Sequence, residues 1–280
     1  MRQIALDLLR AWAETGTPFD GVSPAEVGWA ASPAGPLRYA VRGPPGARPA
    51  LLLHGLGDSI AGWAQVVGPL SRHLRVNLVD LPGHGLSARP KDWRLSTLAD
   101  AVAAYARRLR DPILIGHSLG GWLAVRLALR GAVKPSAIAL VNPGGALLGS
   151  ELWAPFRQLV SANDRAGVAR YLEHAFRRPP LLLRMFPGEV SRAMSAEACR
   201  GILDALSEPD FLRDSELATL KAPLRLLWGA HDRLLPEGSL DFFRRALPRA
   251  EVVVLEGCGH LPHLEAPRAL ARALLQPFPA

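Results

Sequence analysis

Eight short apolar stretches punctuate the chain, at residues 26–31, 36–42, 50–54, 74–79, 112–115, 137–141, 223–229 and 250–255. Each has the length of a strand, and most are rich in branched residues. The first two are joined by a turn at Pro33-Ala34-Gly35, and Gly43-Pro44-Pro45-Gly46 marks the next turn. Between the later stretches the apolar period lengthens to that of a helix. Residues 62–72, 95–110 and 122–130 read as helices, the second with Ser96 or Thr97 as its N-cap and the third ended by Gly131. Strand and helix in alternation predict an α/β fold: a mostly parallel, eight-stranded sheet flanked by helices, with right-handed crossovers.

The alternation breaks between Asn142 and Ser215. Residues 152–160 and 168–176 have helical patterns, interrupted by Pro155, Pro179-Pro180, Pro187 and Pro209, and no strand pattern stands out. The division predicted is a core over residues 1–142, a helical cap over 143–215 and the rest of the core over 216–280. Trp153, Phe156, Tyr171, Phe176, Met185 and Phe186 give the cap bulky apolar side chains suited to a pocket wall. Trp153 and Phe186 are the first candidates for substrate contact. Eight Arg balance eight Asp or Glu in residues 143–210, so no strong field favours a charged substrate. With an apolar cap, uncharged acyl chains of short to medium length are expected to outperform acetyl through burial of methylenes.

At the other end, apolar positions 4, 5, 8, 9 and 12 predict an amphipathic helix packed on the core. Asp7 and Arg10 interrupt any signal-peptide run. No stretch reaches the roughly 20 apolar residues of a membrane span. A soluble, cytoplasmic chain is expected, and a homo-oligomer is compatible with the sequence.

Chemistry enters at Gly116-His117-Ser118-Leu119-Gly120. It lies between the apolar run 112–115 and the helix over 122–130, so Ser118 sits on a sharp strand-to-helix turn that lifts its hydroxyl clear of the sheet. Side chains at 116 and 120 would collide with the neighbouring strand and helix. The N–H of Leu119, at the helix start, points where a carbonyl oxygen would gain negative charge. Such a serine needs a base. Two later strands end in polar turns, Gly229-Ala230-His231-Asp232 and Glu256-Gly257-Cys258-Gly259-His260. Their order along the chain, Ser118, Asp232, His260, is the one expected of this elbow.

Composition narrows the alternatives. The net charge of +8 comes from 33 basic residues, but 30 are Arg spread along the whole chain, so neither a nucleic-acid nor an anionic-membrane surface is indicated. The two cysteines, Cys199 and Cys258, are far apart, which argues against a disulfide framework and for a reducing compartment. Cys258 reads as a turn residue. No spacing of His, Cys and Asp matches a zinc site, and neither a metal nor an organic cofactor is expected.

Taken together, these motifs resemble the α/β-hydrolase superfamily from about Glu26 to the end. Leu51-Leu52-Leu53-His54-Gly55-Leu56-Gly57 is similar to the family's oxyanion strand and loop, with Ser59 and Trp63 completing a pattern of small esterases and lipases. Asp80-Leu81-Pro82-Gly83-His84-Gly85 resembles a structural loop, and Gly259-His260-Leu261-Pro262-His263-Leu264-Glu265 the histidine turn. The resemblance implies Ser118 as nucleophile, His260 as general base, Asp232 as its acid partner, and the N–H groups of Leu56 and Leu119 as the oxyanion hole. Asn142 occupies a strand end where some relatives carry the acid, and it cannot serve as a carboxylate. His54 is expected to shape the oxyanion loop. His84, His117, His231 and His263 are expected to brace loops or line the pocket.

The first functional expectation is hydrolysis of small or medium apolar carboxylic esters. A C–C or other acyl bond cleaved by the same residues is the second. Relatives of that kind usually carry Asn before the serine and Trp after the histidine, where this chain has His117 and Leu261. A non-catalytic accessory protein is the third, and a full set of three residues speaks against it. Dehalogenase and epoxide-hydrolase relatives place Asp where Ser118 stands.

Overall fold

The computed structural model describes residues 26–279 apart from 162, 163, 186, 195 and 196. The helix expected over residues 1–12 and the side chain of Phe186 lie outside the described residues.

The strands are β1 (Glu26–Ala30), β2 (Leu37–Arg42), β3 (Pro49–Leu53), β4 (Arg75–Val79), β5 (Ile113–His117), β6 (Ala137–Val141), β7 (Leu224–Gly229) and β8 (Glu251–Leu255). They form one sheet in the order β1-β2-β4-β3-β5-β6-β7-β8. Only β2 runs against its neighbours; the pairings from β4 to β8 are all parallel. The mostly parallel, eight-stranded α/β sheet read from the sequence is thus the sheet observed.

Parallel strands are covered on both faces, so their apolar residues run on without a polar alternate. Successive side chains still point to opposite faces. Leu51, Leu53 and Leu114 join one core with helices α2 (Leu95–Ala106) and α3 (Leu119–Leu129). Ala50, Leu52, Ile113 and Ile115 join the other with α1 (Ala64–Ser71). Leu51, Leu52 and Leu53 are wholly buried, each contributing about 1.5–3 kcal/mol of transfer free energy.

Helix boundaries shift in two places. The helix expected over 62–72 begins as a 3-10 turn, Ile60–Trp63, because the Ser59 hydroxyl caps the Ala61 N–H at 3.3 Å. α2 stops at Ala106, short of 110, and neither Ser96 nor Thr97 caps it. Arg94 holds the N-cap position without a side-chain bond. The Thr97 hydroxyl instead donates to Asp92 at 2.6 Å, a carboxylate that also accepts the Arg94 N–H at 3.1 Å.

Between β6 and β7 the chain forms α4 (Ser150–Val160), α5 (Arg165–Ala175), α6 (Leu181–Met185), α7 (Pro187–Met194) and α8 (Glu197–Ala205). A single parallel bridge, Ala146 to Leu212, closes the base of this insertion. Leu212 donates to the Gly145 carbonyl at 2.7 Å and Leu147 to the Leu212 carbonyl at 3.1 Å. Val160, Val168, Leu172, Phe176 and Leu203 form a small core of the insertion's own, packed against Leu56 and Leu261 of the main body. The chain finishes with α9 (Asp214–Leu217), α10 (Ser239–Ala246), α11 (Pro262–Glu265) and α12 (Pro267–Leu275).

Candidate active site

Ser118 follows β5 and precedes α3 with φ 51° and ψ −116°. A non-glycine residue in that region carries strain of about 1–3 kcal/mol, so its surroundings must impose it. They do so through three backbone bonds. The Ser118 N–H donates to the Val141 carbonyl of β6 at 3.0 Å, and its carbonyl accepts the N–H groups of Trp122 at 3.1 Å and Gly144 at 3.0 Å. The glycines of the motif act as expected. A Cβ on Gly116 would strike the Gly120 carbonyl, and one on Gly120 would strike the Leu53 carbonyl of β3. Leu119 is the first residue of α3, where N–H groups lack partners within the helix.

His260 and Asp232 come together from the turns after β8 and β7. His260 Nδ1 lies 2.8 Å from Asp232 Oδ2, with both side chains buried. Asp232 Oδ1 accepts the N–H groups of Leu234 and Leu235 at 2.9 and 3.1 Å. Burial would raise this carboxyl. His260, the Asn142 amide and the Leu235 N–H outweigh it and hold the group below the usual carboxylate range.

Asn142 was legible from the sequence only as a residue that could not be the acid. In the structure its Nδ2 donates to Asp232 Oδ2 at 2.6 Å and its Oδ1 accepts the Gly229 N–H at 3.1 Å. Its φ of 42° aims the side chain across to β7, a conformation Asn adopts more readily than most residues. The signal available in the sequence was only an Asn at a strand end; that β7, which carries Asp232, lies beside this strand is shown by the sheet.

The remaining polar residues brace loops. His54 Nδ1–H donates to the Gly55 carbonyl at 2.8 Å, and Nε2 accepts the Leu81 N–H at 2.9 Å. One imidazole therefore ties the loop after β3 to the loop after β4. Asp80 accepts the N–H groups of Ile60 at 2.8 Å and Leu86 at 3.0 Å, far from His260 in role if not in sequence pattern. His117 donates from Nε2 to the His260 carbonyl at 2.8 Å, and burial drives its basicity far down. His263 Nε2 lies 3.4 Å from Asp58 Oδ2. His231 is exposed at the surface. The Cys258 thiol is pushed up to about 12 by burial and by the charges of Glu265 and Asp232, as suits a turn residue.

Glu265 fastens the histidine turn to the insertion. One carboxylate oxygen accepts the Gly259 N–H at 2.7 Å, and the other accepts those of Arg177 and Arg178 at 2.9 and 3.2 Å. The His260 N–H donates to the Ala175 carbonyl, at the end of α5, at 2.8 Å.

Ser118 and His260 open on a cavity of about 280 Å³ whose walls include Leu56, Phe156, Tyr171, Phe176 and Leu183. Ser118 and Leu56 also border a second cavity of about 30 Å³, with Leu119, Trp122, Trp153 and Ile202. Trp153, selected from the sequence, thus faces the smaller space; Phe156 and Tyr171, which line the larger one, were not singled out as contacts. Among the described residues no group of three or more His, Cys, Asp or Glu could hold a metal ion. No helix among them is long and apolar enough to cross a membrane.

Comparison with known proteins agrees with this architecture. The family model described as alpha/beta hydrolase family matches residues 50–273. The pimeloyl-[acyl-carrier protein] methyl ester esterase of Aeromonas hydrophila is 32% identical over 235 residues, covering 78% of this chain and 90% of the relative. Among solved structures, a bacterial membrane phospholipase A superposes with a TM-score of 0.80 at 27% identity, covering 97% of this chain and 88% of the other. Naproxen esterase of Bacillus subtilis superposes with a TM-score of 0.73 at 21% identity, covering 98% and 95%, a likeness of fold.

Proposed function

This chain belongs to the α/β-hydrolase family, and on that premise we propose that it hydrolyses carboxylic esters of small or medium apolar substrates through Ser118, His260 and Asp232. The observation that carries the reading is the 2.8 Å His260–Asp232 contact, opening on the same cavity as the strained Ser118. His260 takes the serine proton as Oγ attacks the ester carbonyl, then hands it to the departing alcohol. Asp232 fixes the imidazole tautomer and steadies the imidazolium. The N–H groups of Leu56 and Leu119 receive the developing oxyanion. Water then repeats the sequence on the acyl-enzyme and frees the acid. Residues 143–215 act as a cap over the site, and the largely apolar walls they supply favour uncharged substrates. An activated fluorophosphonate and a panel of 4-nitrophenyl esters test the reading. Labelling of Ser118 alone, with ester hydrolysis lost in Ser118→Ala, is the expected result. Labelling elsewhere, or a rate equal in wild type and variant, overturns it.

A further inference from the structure

Ser118 stands between two unequal spaces, and His260 faces the larger one. That asymmetry constrains which half of an ester goes where. The general acid must come within about 2.6–3.2 Å of the leaving oxygen, or reach it through one water. The alcohol half must therefore extend into the cavity of about 280 Å³ beside His260. The acyl half, on the other side of the carbonyl carbon, is left the space of about 30 Å³ beside Leu119. At about 30 Å³ against about 280 Å³, the smaller space admits far fewer chain atoms than the larger one.

The walls of the smaller space are pinned. Trp122 and Trp153 both stack on Phe211, with ring centroids 5.1 Å apart in each pair. The Trp122 Nε1–H donates to the Asp210 carbonyl at 2.9 Å and the Trp153 Nε1–H to the Ala146 carbonyl at 3.2 Å. An indole held by its N–H and by a ring contact cannot swing aside to admit a longer chain without leaving a buried donor unpaired.

From this geometry, and resting on the ester-hydrolase reading above, we infer that the enzyme selects short-acyl esters of bulky apolar alcohols. The step balances without any further reagent. The bond from Ser118 Oγ to the acyl carbon forms, the bond from that carbon to the alkoxy oxygen breaks, and the serine proton leaves on the alcohol by way of His260. The apolar insertion then rewards methylenes on the alcohol, not on the acid, which reverses the acyl-length gain expected from its composition.

Two isomers of identical composition separate the cases: hexyl acetate and methyl heptanoate, followed by proton release with the full-length protein. Hexyl acetate should show the higher kcat/KM by at least about tenfold, since each methylene that a narrow apolar pocket accepts or refuses is worth about that factor. Equal values, or a preference for methyl heptanoate, overturn the inference and leave the ester-hydrolase reading standing. Hydrolysis of neither isomer, with no labelling of Ser118, removes both. Trp153→Ala should raise the ratio of kcat/KM for hexyl butanoate over hexyl acetate at least about tenfold by the same reasoning. Should that variant not fold, Ile202→Ala opens the same space. An unchanged ratio in a folded variant counts against the assignment of the smaller space to the acyl group.

Discussion

Asn142 and Asp232, at the ends of adjacent parallel strands, share a 2.6 Å hydrogen bond in which the amide donates to the oxygen that also faces His260. The amide is in turn fixed by the Gly229 N–H, so it has one orientation to offer. On the proposed mechanism Asn142 is a positioning residue, acting on the histidine through the carboxylate. Asn142→Ala should lower kcat/KM by about 10–100-fold, the worth of one hydrogen bond to a charged group. It should also move the acid limb of the pH–rate profile, because Asp232 loses one of the interactions that hold it ionised. An unmoved limb would reduce Asn142 to a structural role.

Ser118→Ala and His260→Ala should each remove turnover by about 10⁵–10⁶-fold, and the double variant should be little worse than either. Steady-state rates on one activated ester measure this. Losses that multiply would mean that the two side chains do not act as a unit.

Asp232→Asn should keep the fold and slow turnover by about 10⁴-fold through the wrong imidazole tautomer. Asp80→Asn should do the opposite. Asp80 accepts two backbone N–H groups and lies 4.0 Å from Arg38, so an amide in its place leaves a buried donor or acceptor unmatched, at about 1–3 kcal/mol. Urea midpoints and rates of the two variants, measured together, separate the roles. The reverse ranking would transfer the catalytic acid to Asp80.

Burial keeps His84 and His117 neutral in the folded protein near neutral pH, His84 down to about 4. The unfolded chain binds protons at these sites near pH 6.5, and the folded chain does not. Their contribution is thus complete above about pH 6.5 and shrinks as pH falls, on the order of 1.4 kcal/mol per pH unit for each group. Urea midpoints should be flat from pH 8 to 7 and decline from about pH 6.5 to 5. His84→Gln should shallow the decline by one proton. A midpoint independent of pH through this window would contradict the neutral assignment.

The sheet could be read in advance because each strand is a local signal, an apolar run closed by a turn. Ser118, Asp232 and His260 were equally legible, since the steric demands of Gly116 and Gly120 and the ends of β7 and β8 mark them one segment at a time. Asn142 escaped because its role depends on which strand lies beside β6, and strand order is a property of the assembled sheet. Phe156 and Tyr171 were legible as bulky side chains suited to a pocket wall but not as first contacts, for a related reason. A helical period shows that an aromatic is buried, and says nothing of whether it packs inside the insertion or faces an empty space. Trp153 carried the same helical signal, yet it borders the smaller of the two spaces.

The carboxylate of Glu265 and the carbonyl of Ala175 join the His260 turn to the end of α5. An outward swing of this part of the insertion would either break these bonds or pull on the turn that carries His260. On the proposed mechanism, a gate that opened there with these bonds intact would displace the base while admitting a molecule, and would restore it on shutting. The placement of the base and the position of α5 are thus, on that mechanism, coupled through one short turn.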